Sequence, residues 1–237
     1  MTEFFQRTES GNPDFHCLPF RNLEKSRHSV LHCPRMNVKE RAVSHAAMLT
    51  RLALVFLLCL APLQAETAKE QFLAAAAAQI GVTRSYDAAY VALAYPGGDV
   101  PEDRGVCTDV VIRAFRKAGL DLQKVVHEDM TRAFSAYPKL WGLRAPDTNI
   151  DHRRVPNLMA WFQRQGKARP VSRDARDYAP GDVVAWRLPD GRPHIGLVSD
   201  RPSDEAGRYR VIHNIGRGAQ AEDRLFDFEI IGHYRYW

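Results

Sequence analysis

Apolar positions along the chain fall into three regimes. Up to residue 47 the sequence is polar and keeps no sustained apolar period. Residues 52–61, Leu-Ala-Leu-Val-Phe-Leu-Leu-Cys-Leu-Ala, form an unbroken apolar run. From Glu66 onward apolar residues recur first at helical spacing and then at strand spacing. Residues 66–81 predict an alanine-rich helix with Phe72, Ala76 and Ile80 on one face. Residues 86–95 predict a second, short helix that packs through Tyr86, Tyr90, Leu93 and Ala94. Residues 96–103 read as a loop by composition. Residues 104–119 predict a helix whose stripe is Val110, Val111, Ala114, Phe115 and Ala118, with Cys107 in its first turn. Gly105 allows a sharp entry, Thr108 and Asp109 are start-type residues, and Gly119 is a stop. Two further helices are expected over 125–134 and 158–165, the latter opened by Val155-Pro156-Asn157 and ended by Gly166. From Ala179 the period becomes strand-like. Strands are expected at 183–188, 194–199, 209–214 and 228–237, with turns at 189–192 and 201–207. Helices first and an antiparallel meander afterwards imply an α+β domain, with helices packed on one face of the sheet.

The apolar run changes what the rest of the chain means. A basic start at Met48-Leu49-Thr50-Arg51, the short apolar core and the closing Pro62-Leu63-Gln64-Ala65 have the pattern of a secretory signal peptide cleaved after Ala65. The run is too short for a stable membrane span of about 20 residues. Residues 1–47 are then expected to be a non-native or disordered upstream segment, with the natural start at Met48; the alternative is an extended cytoplasmic tail on an uncleaved anchor. Lipidation at Cys59 does not fit, because Phe56-Leu57-Leu58 offers no small residue beside it. Residues 66–237 are expected to form a single exported domain, periplasmic or extracellular.

Of the four cysteines, Cys17, Cys33 and Cys59 lie upstream of that cleavage point. Cys107 would stand alone in an oxidising compartment without a disulfide partner, which favours a thiol kept for reactivity. Eight of the 33 Lys and Arg and five of the 28 Asp and Glu also lie upstream, leaving 25 basic against 23 acidic side chains. A net charge of +2 supports no strong field for nucleic acid. No cofactor, nucleic acid or membrane partner is expected, and the protein reads as a monomer.

A thiol at a helix N-terminus meets unpartnered N–H groups and a favourable dipole, so it is expected to ionise more easily than a free thiol. A small buried core cysteine is the alternative. A thiol nucleophile needs a base, and the base needs an orienting group. His194 opens one strand and His213 closes the next. With a turn midpoint near 203–204 they are expected directly opposite each other on one face, and that face is expected to pack on the Cys107 helix. Asn214 is the rival orienter, reached by a one-residue bulge. The loop 96–103 is expected to bring Asp99, Asp103 and Arg104 beside the thiol, solvated loop charges being the alternative. The polar run 149–156 is expected to line a substrate groove. The expected substrate-binding set is Asp99, Arg104, Asp109, His152 and Arg153. His127 and His152, as singletons, also fit surface or locally bonded positions. A metal site from Cys107, His194 and His213 ranks low because no two ligands are closely spaced.

A helix-start Cys107, then Gly181-Asp182-Val183-Val184, then His194-Ile195-Gly196-Leu197-Val198, then Val211-Ile212-His213, resembles the secreted NlpC/P60 cysteine peptidases, which have a papain-like core. Those enzymes usually carry Asp-Cys-Ser-Gly, where this chain has Val106-Cys107-Thr108-Asp109. The runs at 95–99, 105–109, 149–157 and 213–216 resemble more closely a bacterial family filed as domain of unknown function 1287. The first resemblance implies Cys107 as nucleophile, His194 as base and His213 as orienter in a cell-wall peptide hydrolase. A non-catalytic cell-wall binding domain on the same fold is the alternative.

Overall fold

The computed structural model describes residues 67–205 and 207–237. The expectations for the upstream segment, the signal peptide and Cys17, Cys33 and Cys59 lie outside the described residues. Helix α1 occupies residues 67–78. It is followed by β1 (Ser85–Tyr86), β2 (Arg104–Gly105), α2 (Cys107–Lys117), α3 (Leu122–Ala133) and α4 (Val155–Arg164). Then come β3 (Val183–Arg187), β4 (Pro193–Pro202), β5 (Tyr209–Asn214), β6 (Ala219–Glu222) and β7 (Glu229–Tyr234). The last five form one antiparallel sheet in the order β6-β5-β4-β3-β7. The class is α+β, with the helices packed on one face of the sheet.

Strand alternation divides the core. Ala185, Ile195, Leu197 and Ile212 face the helices and join Phe72, Val111, Phe115, Leu158 and Phe162. Val184, Trp186, Val198 and Val211 face the other way and pack under Tyr178 and Leu225. Helix α2 lies across β4 and β5. Its apolar stripe is fully buried, Val110, Val111, Ala114 and Phe115 each being 0% exposed. Phe72 of α1 closes on Phe115 with ring centroids 4.6 Å apart.

Three expectations fail here. Residues 86–95 are not helical beyond the short β1. Their backbone groups are engaged elsewhere: Arg153 donates to the carbonyls of Asp87 and Ala89, Gln123 to that of Ala94, and Asn149 accepts from the Leu93 N–H. Tertiary hydrogen bonds have replaced the helical ladder. Strand β6 lies in a stretch where no strand was expected, since Ala-Gln-Ala-Glu carries no strong apolar alternation. The hairpin register also differs. Leu197 pairs with Ile212 and Val198 with Val211, with an irregularity before Pro202. This shifts the turn by a residue, so Gly196, not His194, stands opposite His213.

Candidate active site

Helix α2 begins at Cys107 because its start is held from several sides. The Asp109 carboxylate reaches back and accepts from the Val106 N–H at 2.6 Å. Gly105 has a φ of +155°, and a Cβ there would come 2.9 Å from Asp109 Oδ2. The Thr108 hydroxyl donates to the Arg153 carbonyl at 3.0 Å. Arg153 donates to both Asp109 oxygens at 2.9 Å, a buried bidentate pair. The Asn214 amide, on the helix-facing side of β5, donates to the carbonyls of Ser85 and Gly105 and accepts from the N–H groups of Gly216 and Gly218.

The thiol is 4% exposed. The Ile195 N–H, at the head of β4, faces the sulfur, and with the N–H groups of Thr108 and Cys107 it favours the charged form. Burial outweighs them and pushes the thiol up to about 11. The expected easing of ionisation is therefore overturned: the resting side chain is a neutral thiol. Tyr86 lies close enough to interact with the sulfur. Burial first, and then the thiol, push its phenol up to about 12.

His194 and His213 share a face, but it is the one opposite α2, where Trp186 packs against both rings at centroid distances of 5.8 and 6.3 Å. The expectation that this face packs on the Cys107 helix is corrected. The sulfur instead lies by the head of β4, near the peptide N–H next to His194. Backbone dimensions then put the sulfur within roughly 6 Å of the His194 Cα. The two histidines are diagonal rather than directly opposite, and Gly196 makes this close packing possible. A Cβ at Gly196 would lie 2.9 Å from the His213 Cβ.

His194 Nε2 and His213 Nδ1 are 2.7 Å apart, and His213 Nε2 is 3.0 Å from Glu222 Oε2. Glu222, on β6, was not expected; the glycines at 216 and 218 were the sequence signal for the extra hairpin that carries it. The line determines the tautomers. A carboxylate only accepts, so His213 carries its proton on Nε2 and accepts at Nδ1. His194 therefore donates from Nε2, which leaves its Nδ1 unprotonated. Burial pushes His194 down to about 3, with His213 and Arg192 adding to the effect. Burial also lowers His213, against the opposing pull of Glu222. Both rings are neutral at pH 7.

Asn214 does not orient His194: its amide is fully engaged with Ser85, Gly105, Gly216 and Gly218. Asp99 sits away from the thiol, clamped by Arg113 at 2.9 Å and Arg116 at 3.4 Å. With them it lines a separate cavity of about 580 Å³ that includes neither Cys107 nor His194. Arg104 is exposed, in loose pairs with Asp87 and Asp103 at 3.6 and 3.7 Å. Asp109 is committed to Val106 and Arg153. Arg153 lines the cavity at Cys107, but its guanidinium is committed to Asp109 and two carbonyls. His152 is 2% exposed, so it neither lines an open groove nor sits on the surface. Burial, then Arg153 and Arg116, push it down to about 4. His127 is half-buried, its ring 5.1 Å from that of Tyr95. Among the described residues no group of three His, Cys, Asp or Glu side chains is placed to hold a metal ion, and no helix is long and apolar enough to cross a membrane.

The family model described as Domain of unknown function (DUF1287) matches residues 73–236. The chain belongs to the DUF1287 family. All the residues of this site fall inside the matched span. The chain is also similar to "Uncharacterized protein YijF" of Escherichia coli (strain K12), 60% identical over 159 residues that cover 67% of this chain and 77% of that protein. No solved structure matches.

Proposed function

We propose that this DUF1287 protein is an exported thiol hydrolase that cleaves an amide bond, with the peptide of bacterial peptidoglycan as its substrate class. The observation that carries the proposal is the line His194–His213–Glu222. It leaves an unprotonated nitrogen on the residue next to the peptide N–H that faces the Cys107 sulfur. The likeness to NlpC/P60 peptidases in the order of Cys107, His194 and His213 supports the reading, and with it a papain-like core. Export rests on the signal-peptide pattern of residues 48–65.

The chemistry starts from a neutral pair. As the sulfur attacks the carbonyl carbon, His194 Nδ1 takes the thiol proton. His213 accepts from His194 Nε2 and Glu222 accepts from His213, so the imidazolium forms in a fixed orientation. The Cys107 N–H and the Tyr86 hydroxyl stand by the sulfur to receive the developing oxyanion. Collapse breaks the C–N bond, and the His194 proton goes to the leaving amine. Water, giving its proton to His194, then releases the acyl group as a carboxylic acid and restores the thiol.

The buried, neutral thiol favours a second reading, a cell-wall binding domain without turnover. Purified sacculi separate the two. Wild-type protein is expected to release soluble peptides of defined mass, and Cys107→Ala and His194→Ala to release none while staying folded. Release by Cys107→Ala at the wild-type rate would overturn the hydrolase. Sacculus binding with no release by any form would favour the binding domain.

A further inference from the structure

Away from the sulfur, α1 and α2 leave between them the cavity of about 580 Å³, with Asp99 and Glu102 of the loop before β2 on its wall. That volume lies within the range of small-molecule pockets, about 300–1,000 Å³. Ala74, Ala75 and Ala78 of α1, with Val82 beyond it, give the cavity an apolar floor. The two helices run antiparallel along it. Gln79, just past α1, donates to the Val110 carbonyl, whereas Phe72 packs on Phe115 further along α2. The groove therefore has two ends. Gln79 and Glu102 stand by the first turns of α2, where Arg113 donates to the Thr83 hydroxyl and that hydroxyl donates to the Glu102 carbonyl. Lys117, in the last turn of α2, stands at the other end.

The ends differ in what they leave unused. Gln79 is 8% exposed. Its Nε2 donates to the carbonyls of Val110 and Ala75 at 2.9 and 3.4 Å, groups that only accept, so the orientation of the amide is fixed. The Oε1 that remains has no hydrogen-bond partner. A buried acceptor left bare is costly, and a donor inside the groove would recover that cost. Glu102 adds a carboxylate that makes no ion pair among the described residues. At the opposite end Lys117 makes none either, and the Nε of the neighbouring Arg116 is buried without a partner. Between the ends Asp99 is neutralised by Arg113 and Arg116. The groove thus offers spare acceptors at one end, spare donors at the other and apolar surface between them.

We propose that this groove binds a short apolar peptide with both termini free. The ammonium group sits at Gln79 Oε1 and Glu102, and the carboxylate at Lys117 and Arg116 Nε. The side chains lie on the alanines of α1. From Val110 to Lys117 the helix rises about 10 Å at 1.5 Å per residue. An extended peptide spans about 3.3–3.6 Å per residue, so a tripeptide reaches from one end to the other. A fatty acid would serve the cationic end alone and leave Gln79 bare. The site is separate from Cys107 and does not depend on the hydrolase reading.

The test is titration calorimetry with trialanine, trileucine, N-acetyl-trialanine amide and octanoate, on wild-type protein and on Cys107→Ala. A free tripeptide is expected to bind both proteins equally, with the blocked peptide and octanoate at least tenfold weaker. Lys117→Met and Glu102→Gln should each weaken tripeptide binding about tenfold, and Ala74→Trp should abolish it by filling the groove from an exposed position of α1. Should Ala74→Trp not fold, Lys117→Met and Glu102→Gln, both at exposed positions, still decide. Absence of binding by either tripeptide would overturn the site, as would blocked peptide or octanoate binding as tightly. Binding that survives Lys117→Met and Glu102→Gln but is lost in Cys107→Ala would place the peptide at the thiol instead and also overturn it.

Discussion

Replacing Glu222 probes the hydrogen-bond line at its far end, away from the sulfur. In Glu222→Leu, His213 loses the acceptor 3.0 Å from its Nε2. Its proton is then free to move to Nδ1. His194 Nε2, 2.7 Å away, would have to accept, and its own proton would move to Nδ1, the nitrogen needed as base. A hydrogen bond to a charged group contributes about 1.5–3 kcal/mol. At about 1.4 kcal/mol per tenfold change, losing it shifts the tautomer balance by roughly 10- to 150-fold. The kcat/KM of Glu222→Leu is expected to fall by a similar factor, with Glu222→Gln in between because its amide oxygen still accepts. Imidazole nitrogen resonances read the tautomers directly: His194 should appear protonated at Nε2 in the wild type and mixed in Glu222→Leu. Unchanged resonances with kcat/KM within twofold of wild type would refute the reasoning, whatever the variant does to thermal stability.

Gly196→Ala should push the His213 Cβ away, since the added carbon would lie 2.9 Å from it; loss of the paired imidazole signals in a folded protein checks this. Above pH 9 the unfolded chain gives up the Cys107 proton, while the folded protein holds it to about pH 11. Stability should fall across that window by about 2–3 kcal/mol, and denaturant midpoints of Cys107→Ala should lack that part of the loss. On the acid side His194 is held near 3 and His152 near 4 against 6.5 when unfolded. Their contribution is complete above pH 6.5 and lost as pH falls toward 3, so His194→Gln should flatten the acid slope. Arg153→Met strands the buried Asp109 carboxylate and should cost about 3–5 kcal/mol in chemical denaturation; a loss of substrate affinity at unchanged stability would instead make Arg153 a ligand residue.

The sequence pattern was sufficient where burial follows a simple period. Val110, Val111, Ala114 and Phe115 located α2 and placed Cys107 in its first turn, and strand alternation put His194 and His213 on one face. It failed where side chains far apart in the chain compete for backbone groups. Tyr86 to Ala94 looked helical because nothing local shows that Arg153 and Gln123 take its carbonyls. Glu222 stayed hidden with β6, whose strand character comes from pairing with β5. Asn214 and His213 are adjacent, and the absence of a bulge between them keeps the side chain that braces Gly105 on the face opposite the one that holds His194. The thiol's ionisation was misjudged because a helix terminus is visible in sequence, whereas burial at the head of β4 is not.

The central claim, that Cys107 becomes acylated with the help of His194, is open to one direct measurement. Wild-type protein is mixed with peptides from digested sacculi, quenched in acid within a turnover, and weighed intact. The account predicts a mass increase equal to an acyl fragment, localised to the peptide containing Cys107 and absent in His194→Ala. Released amine product with no adduct on Cys107 at any quench time, and equal release by Cys107→Ala, would contradict it.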